Sequence, residues 1–190
     1  MKHDPATAYT LWQGPLGPMV LAATARGLSG IWFEGQRHEP SQQLYGNAAW
    51  AEADGHPLLQ AATGQLQQYL RGERDGFDLP LDLSGGTPFQ QAVWQALLAI
   101  GRGATRSYGE LSQHLGRPRA VRAVGAAVGR NPLSVVVPCH RVLGADGSLT
   151  GYAGGLDRKA ALLALENELA SAQASLLSHS HDKENAKGAP

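Results

Sequence analysis

The chain has 190 residues, 43% of them hydrophobic, and a formal net charge of zero. That length holds one large or two small domains, each with its own core. No apolar run is long enough to span a bilayer, and Met1-Lys2-His3-Asp4-Pro5 is not followed by a signal-peptide core. A single cysteine excludes an internal disulfide and a multi-cysteine zinc site, and a free thiol without a signal peptide fits the reducing cytoplasm.

The zero charge hides a gradient. Residues 1–100 carry a net −4, residues 101–141 a net +6, and residues 142–190 a net −2. The cations of the middle segment are all arginine (Arg102, Arg106, Arg117, Arg119, Arg122, Arg130 and Arg141), set against Glu110 alone. Arginine suits phosphates and planar groups, so this segment points to nucleic acid. Scattered solvated arginines are the plain alternative.

In chain order, Tyr9-Thr10-Leu11-Trp12, Met19 to Ala23 and Gly30-Ile31-Trp32-Phe33 read as strands. Turn chemistry at Gly14-Pro15-Leu16-Gly17-Pro18 and Arg26-Gly27 separates them. Pro57 opens a helix whose apolar positions, Leu58, Leu59, Ala62, Leu66, Tyr69 and Leu70, fall near helical spacing. Asp82-Leu83-Ser84-Gly85-Gly86 reads as a linker.

A second unit starts at Thr87-Pro88, an N-cap followed by proline at the first helical position. Phe89, Val93, Trp94, Leu97 and Leu98 line its inner face, and Gly101-Arg102-Gly103 follows. Ser107-Tyr108-Gly109-Glu110 is a capping-box pattern for a second helix through Leu115. After Gly116-Arg117-Pro118 a third helix runs from Arg119 to about Val128. Two short helices across a glycine turn resemble a helix-turn-helix, with generic packed helices as the alternative. The third helix is rich in small residues: Ala120, Ala123, Gly125, Ala126 and Ala127. Gly125 costs about 1 kcal/mol of helix propensity relative to alanine, so a close neighbour, helix or nucleic-acid groove, is expected there. A last helix starts near Asp157. From Ser171 the chain is polar, and His179-Ser180-His181-Asp182 reads as part of a tail rather than a metal site.

The cysteine sits in Val137-Pro138-Cys139-His140-Arg141-Val142, behind the strand-like run Val135-Val136-Val137. It is either a small buried hydrophobe or a nucleophile. His140 and Arg141 both favour a thiolate if they come close. A cysteine hydrolase using Cys139 and His140 is one chemical reading, but it leaves the arginine-rich helices unexplained.

Pro138-Cys139-His140-Arg141-Val142, with Arg122-Ala123-Val124-Gly125 and Asn131-Pro132 before it, resembles the O6-alkylguanine-DNA alkyltransferases, or methylated-DNA–protein-cysteine methyltransferases, of bacterial type. Thr87-Pro88-Phe89-Gln90, Ser107-Tyr108, Gly151-Tyr152 with Gly154-Gly155, and Lys159 to Glu166 extend the likeness over most of residues 87–167. Residues 9–34 more weakly resemble the family's N-terminal domain. The resemblance implies an α/β (α+β) fold. A ribonuclease-H-like domain would span 1–84, a helical DNA-binding and active-site domain 85–170, and a tail 171–190.

It also implies the activity: transfer of an alkyl group from guanine O6, and from O4 of thymine, to Cys139, once per molecule. His140 would be the base, Glu166 its orienting acid and Asn131 a brace for the active-site turns. A bridging water between Cys139 and His140 fits the family's scheme. Tyr108, Val142, Tyr152, Ala153 and Gly154 would surround the flipped base. Arg122, Ala123, Gly125, Ala126, Arg130 and Arg141 would meet double-stranded DNA. No cofactor, metal or membrane is implied, and a monomer suffices. Three departures stand out. Ala153 lacks the hydroxyl of some relatives, Ser134 stands where some have a second proline, and there are no N-terminal cysteines for the structural zinc some members hold. A related group of lesion-binding proteins lacks the reactive cysteine, which Cys139 argues against.

Overall fold

The computed structural model describes residues 7–40 and 50–167. The tail expected over 171–190 lies outside them. Strands β1 (Ala8–Gly14), β2 (Gly17–Thr24) and β3 (Gly27–Phe33) form an antiparallel meander through two-residue turns. Strand β4 (Ala51–Glu52) adds to β1 in parallel, giving the order β3-β2-β1-β4. Helix α1 (Pro57–Leu70) lays Leu59, Ala62, Leu66 and Tyr69 on one face of the sheet, against Met19, Leu21, Ile31 and Phe33. The other face carries a smaller cluster of Tyr9, Val20, Ala22, Trp32 and Trp50.

The outer edge of β3 is not left open. Leu28 N–H donates to Pro80 (2.8 Å) and Asp82 N–H to Leu28 (2.8 Å). Further along, Ile31 N–H donates to Pro132 (2.8 Å) and Ser134 N–H to Ile31 (3.0 Å). Two loop segments thus add to the sheet edge as short parallel bridges. The second of them is the turn that leads to Cys139.

Residues 82–86 are therefore not a slack linker. Asp82 is buried and accepts from Thr24 (2.6 Å), Ser84 (2.6 Å) and Arg26 (3.1 Å). Burial works to raise its pKa, but these donors outweigh it and hold the carboxyl well below the usual range.

The second unit is helical. In α2 (Pro88–Leu98) the Thr87 hydroxyl accepts from Gln90 N–H while the Gln90 side chain accepts from Thr87 N–H. Thr87→Ala is expected to cost about 1 kcal/mol, read by urea denaturation. The expected capping box also starts α3 (Tyr108–His114), through Ser107 and Glu110. Gly116 turns the chain at φ 67°, and Ala120 N–H closes a turn onto Arg117 (2.8 Å). That turn delays α4 (Val121–Val128) by two residues relative to expectation. Val124 and Val128 are buried as expected, whereas Val121 is exposed and Ala127 takes its place inside. The Trp94 indole ties α2 to α4 by donating to Ala127 (2.9 Å). Helix α5 occupies residues 156–167.

The Val135-Val136-Val137 run is buried, but it is not a strand. Val137 N–H donates to Leu133 (2.9 Å) and Val136 N–H to Ser134 (2.9 Å), folding the run into tight turns. Val135 adopts φ 72°, a conformation that β-branched residues strongly disfavour. Cys139 then opens a 3-10 turn, Cys139–Arg141, which leads into β6 (Val142–Leu143). Strand β6 pairs in parallel with β5 (Arg106–Ser107), fixing the cysteine turn beside the start of α3.

Candidate active site

Cys139 is 5% exposed and braced by Asn131. The Asn131 amide nitrogen lies 3.0 Å from Sγ, 2.8 Å from the Val137 carbonyl and 3.3 Å from the Leu133 carbonyl. Its carbonyl oxygen accepts from Leu133 N–H (3.0 Å). One side chain thus holds both ends of the turn and reaches the sulfur. Burial pushes the Cys139 thiol up to about 11, against the pull of Asn131 and of Lys159. At neutral pH the resting group is a thiol.

His140 follows in the same turn and is fully buried. Its Nε2 is 2.7 Å from Glu166 Oε1 on α5. Arg141 grips the same carboxylate with Nε on Oε2 (2.9 Å) and Nη2 on Oε1 (3.0 Å). Burial would raise the Glu166 pKa, but the hydrogen bonds from His140 and Arg141 overcome it and the carboxyl stays ionised. An ionised acceptor at Nε2 places the imidazole proton there, leaving the Nδ1 lone pair as the basic atom. Nδ1 is buried, with no hydrogen-bond partner among the described residues. Burial lowers the His140 pKa despite Glu166, so the ring rests neutral. The ring is thus held in one tautomer with its free nitrogen uncommitted, the arrangement that a general base needs.

Lys159, also on α5, is fully buried and donates to the carbonyls of Val142 (2.6 Å) and Thr150 (2.7 Å). Burial lowers its pKa, and a Cys139 thiolate would raise it. Lys159, Leu162 and Glu166 form the inward stripe of α5.

Beside this network lies an open cleft of about 500 Å³ lined by Tyr108, Gly125, Ala126, Gly129, Arg130, the Thr150–Ala153 loop, Arg37 and His38. Tyr108 and Tyr152 border it, and Cys139 lies close enough for its charge to push both hydroxyl pKa values up, after the larger effect of burial. Gly125 faces the Tyr108 ring: a Cβ there would lie 3.7 Å from it. That is an ordinary van der Waals distance, so no neighbour among the described residues requires glycine at this position.

The family model for the 6-O-methylguanine DNA methyltransferase DNA-binding domain matches residues 88–168, and that for the family's ribonuclease-like domain matches residues 7–83. The chain belongs to the 6-O-methylguanine DNA methyltransferase family. It is 46% identical over 168 residues to the methylated-DNA–protein-cysteine methyltransferase of Mycobacterium tuberculosis, covering 88% of this chain and 97% of the relative. The Methanosarcina acetivorans protein of the same name is 43% identical over 158 residues, covering 83% and 97%. The crystal structure of M. tuberculosis OGT in complex with DNA superposes with a TM-score of 0.76 at 45% identity, over 85% of this chain and 94% of that one. The O6-methylguanine-DNA methyltransferase of Pyrococcus kodakaraensis gives 0.61 at 27% identity, over 84% and 98%. Both the α+β two-domain fold and the DNA-repair methyltransferase class follow from this membership.

Of the residues expected from the family, Cys139 with Asn131 and His140 with Glu166 form two buried pairs that meet at the same 3-10 turn. Arg122, Ala123, Ala126 and Arg130 lie exposed on or just after α4. Arg141 does not belong with them. It is buried, bound to Glu166 and to the Ile100 carbonyl, so it cannot meet DNA. Arg102 also turns inward, onto Asp75 and over the Tyr69 ring (4.9 Å). Two of the seven arginines thus serve the interior.

Within the expected base site, Tyr108 donates to the Gly151 (3.1 Å) and Thr150 (3.3 Å) carbonyls. Tyr152 stands edge-on to His140, with centroids 6.5 Å apart. The Val142 carbonyl already accepts from Lys159, leaving one lone pair for another donor. Gly154 does not line the cleft; it lies behind it, where a Cβ would come within 2.8 Å of both Phe33 and Tyr152. The Ala153 carbonyl accepts from Arg37 N–H (3.1 Å). Ser134 is buried and donates to Gln36 (3.0 Å), which ties the active-site turn to the first domain.

Sequence reasoning left out several site residues, among them Arg37 and His38 on the cleft wall and Lys159 and Tyr69 in the interior. Lys159 had a signal: it shares the apolar stripe of α5 with Leu162 and Glu166. Tyr69 had none, since a tyrosine on the buried stripe of α1 reads as packing. Its hydroxyl donates to Glu166 Oε1.

Proposed function

We propose that this protein repairs O6-alkylguanine, and O4-alkylthymine, in double-stranded DNA by moving the alkyl group irreversibly to Cys139. The observation that carries this reading is the conjunction of one cysteine, a neutral histidine with a free Nδ1, and an aromatic-walled cleft beside them. The target oxygen lies in a base pair, so the nucleotide leaves the stack and enters the cleft between Tyr108 and Tyr152. The exposed small residues of α4 give the minor groove a close approach, and Arg122 fills the gap left by the nucleotide. Arg130, at the cleft rim, meets backbone phosphate.

The Cys139 proton passes to His140 Nδ1 through a bridging water, and Glu166 with Arg141 stabilises the imidazolium. The thiolate attacks the alkyl carbon in line with the bond to O6. An S–C bond forms, the C–O6 bond breaks, and the departing guanine takes up a proton as it returns to its keto form. Tyr108 supplies that proton path once its hydroxyl leaves the Thr150 and Gly151 carbonyls, and the Ala153 N–H meets O6. The thioether product has no hydrolytic exit, so the protein is consumed. The whole site comes from one chain, which supports action as a monomer, and its free thiol supports a cytoplasmic setting.

The test mixes the protein with duplex DNA carrying one O6-methylguanine and weighs the intact chain. The expected result is a single added methyl, mapped to Cys139, with a plateau of one transfer per molecule. Repeated turnover, or a methyl group mapped to another residue, would rule the reading out.

A further inference from the structure

We propose that Tyr69, on α1 of the N-terminal domain, is a positioning residue that sets the proton affinity of His140 through their shared acceptor, Glu166. The inference rests on the reading of His140 as the base. Three donors converge on Glu166 Oε1: His140 Nε2 at 2.7 Å, Arg141 Nη2 at 3.0 Å, and the Tyr69 hydroxyl. A carboxylate oxygen offers two good lone-pair directions, so these donors compete. Oε2 is held by Arg141 Nε at 2.9 Å, with Gly103 N–H at 3.5 Å.

Tyr69 is placed for this by both domains. It is fully buried, its ring tilted against Phe77 (centroids 4.8 Å) and covered by the Arg102 guanidinium. Its hydroxyl also accepts from Arg141 Nη2 at 3.0 Å. The phenol therefore has no freedom to turn away from Glu166. The charged and titratable groups around the carboxylate come from every element packed on it. His140 and Arg141 come from the 3-10 turn and Tyr69 from α1. Arg102, neutralised by Asp75, comes from the segment after α2, and Lys159 on α5 acts on His140 at longer range.

Of the side chains that compete with His140 for Glu166, Tyr69 is neutral and Arg141 is charged. Tyr69 draws on Oε1 without adding positive charge, so it weakens the carboxylate's hold on the His140 N–H. The imidazolium is then less stabilised, His140 rests neutral, and Nδ1 stays available for the Cys139 proton. Without the hydroxyl, Oε1 would bind His140 more strongly and raise its proton affinity. The N-terminal domain thereby takes part in the chemistry although it supplies no reacting group.

Two full-length variants test this: Tyr69→Phe, and the protein carrying 3,5-difluorotyrosine at position 69, a stronger donor in a ring of nearly the same size. His140 titration is read by NMR on ring-labelled histidine, independently of DNA. The pH profile of single-turnover transfer from O6-methylguanine DNA is read alongside. A neutral His140 is required, so the rate falls as pH drops through its pKa. Tyr69→Phe is expected to move that fall, and the NMR midpoint, to higher pH by about one unit. Difluorotyrosine is expected to move both to lower pH. Unchanged midpoints in both proteins, whatever happens to the rate, would overturn the proposal. If Tyr69→Phe does not fold, the fluorinated protein decides alone. If wild-type protein transfers no alkyl group, the proposed function fails while the NMR titration still decides this inference.

Discussion

Cys139→Ala is expected to abolish alkyl transfer while leaving affinity for DNA within about twofold. No second thiol exists to take over. Oxygen nucleophiles nearby do not substitute, because hydroxyls are far weaker acceptors of an alkyl group than a thiolate. The replacement is also gentle. The Asn131 amide that now meets Sγ keeps the Leu133 and Val137 carbonyls as acceptors, so no buried donor is orphaned. Loss of the sulfur should lower stability by about 1 kcal/mol, because little volume is removed. The residue is almost wholly inside and uncharged at neutral pH, so it has no part in holding phosphate. Fluorescence anisotropy on a lesion-bearing duplex, beside a gel assay of demethylation, reads both outcomes. Residual transfer by the alanine variant would refute the proposed chemistry; a large loss of affinity would show that Cys139 also holds the base.

The resting thiol fits a reagent that can be used once. A standing thiolate would react with any passing electrophile. Here burial holds the proton on sulfur, while an uncommitted Nδ1, a buried lysine and the Asn131 amide favour its departure.

Local rules read much of this from sequence. Thr87-Pro88 and Ser107 to Glu110 announced two helix starts because capping depends on residues a few positions apart. The three-stranded meander was legible from its turns. Val135-Val136-Val137 misled because β-branched residues usually mean strand, whereas tertiary hydrogen bonds from Asn131 and onto Ile31 force a turn with one residue at positive φ. Arg141 misled for a related reason. A run of arginines looks like a phosphate surface, and nothing local shows that Glu166, far along the chain, lies beside one of them. Tyr69 and Gln36 join the site only through contact between domains, which periodicity does not encode.

Glu166→Gln is expected to have the next largest effect, on stability and on transfer together. The carboxylate accepts five hydrogen bonds on its two oxygens, from His140, Arg141, Tyr69 and Gly103. A glutamine keeps one acceptor oxygen and places an NH2 against donors, while the buried Arg141 loses its counter-charge. Removing one partner of a buried pair costs about 3–5 kcal/mol. His140 loses the acceptor that fixes its tautomer and stabilises its cation, so transfer should fall by about 10³-fold in whatever fraction remains folded. Acid separates the two roles. Glu166 titrates below its ordinary value in the folded chain, so its stabilisation is complete above about 4.5 and is lost as pH falls through the depressed pKa. The glutamine variant lacks that dependence. The stability gap between the proteins, measured by urea denaturation, should therefore be widest near neutral pH and narrow on acidification. A gap that stays constant with pH would mean that Glu166 acts through packing alone. A variant that transfers at the wild-type rate would remove Glu166 from the base's support.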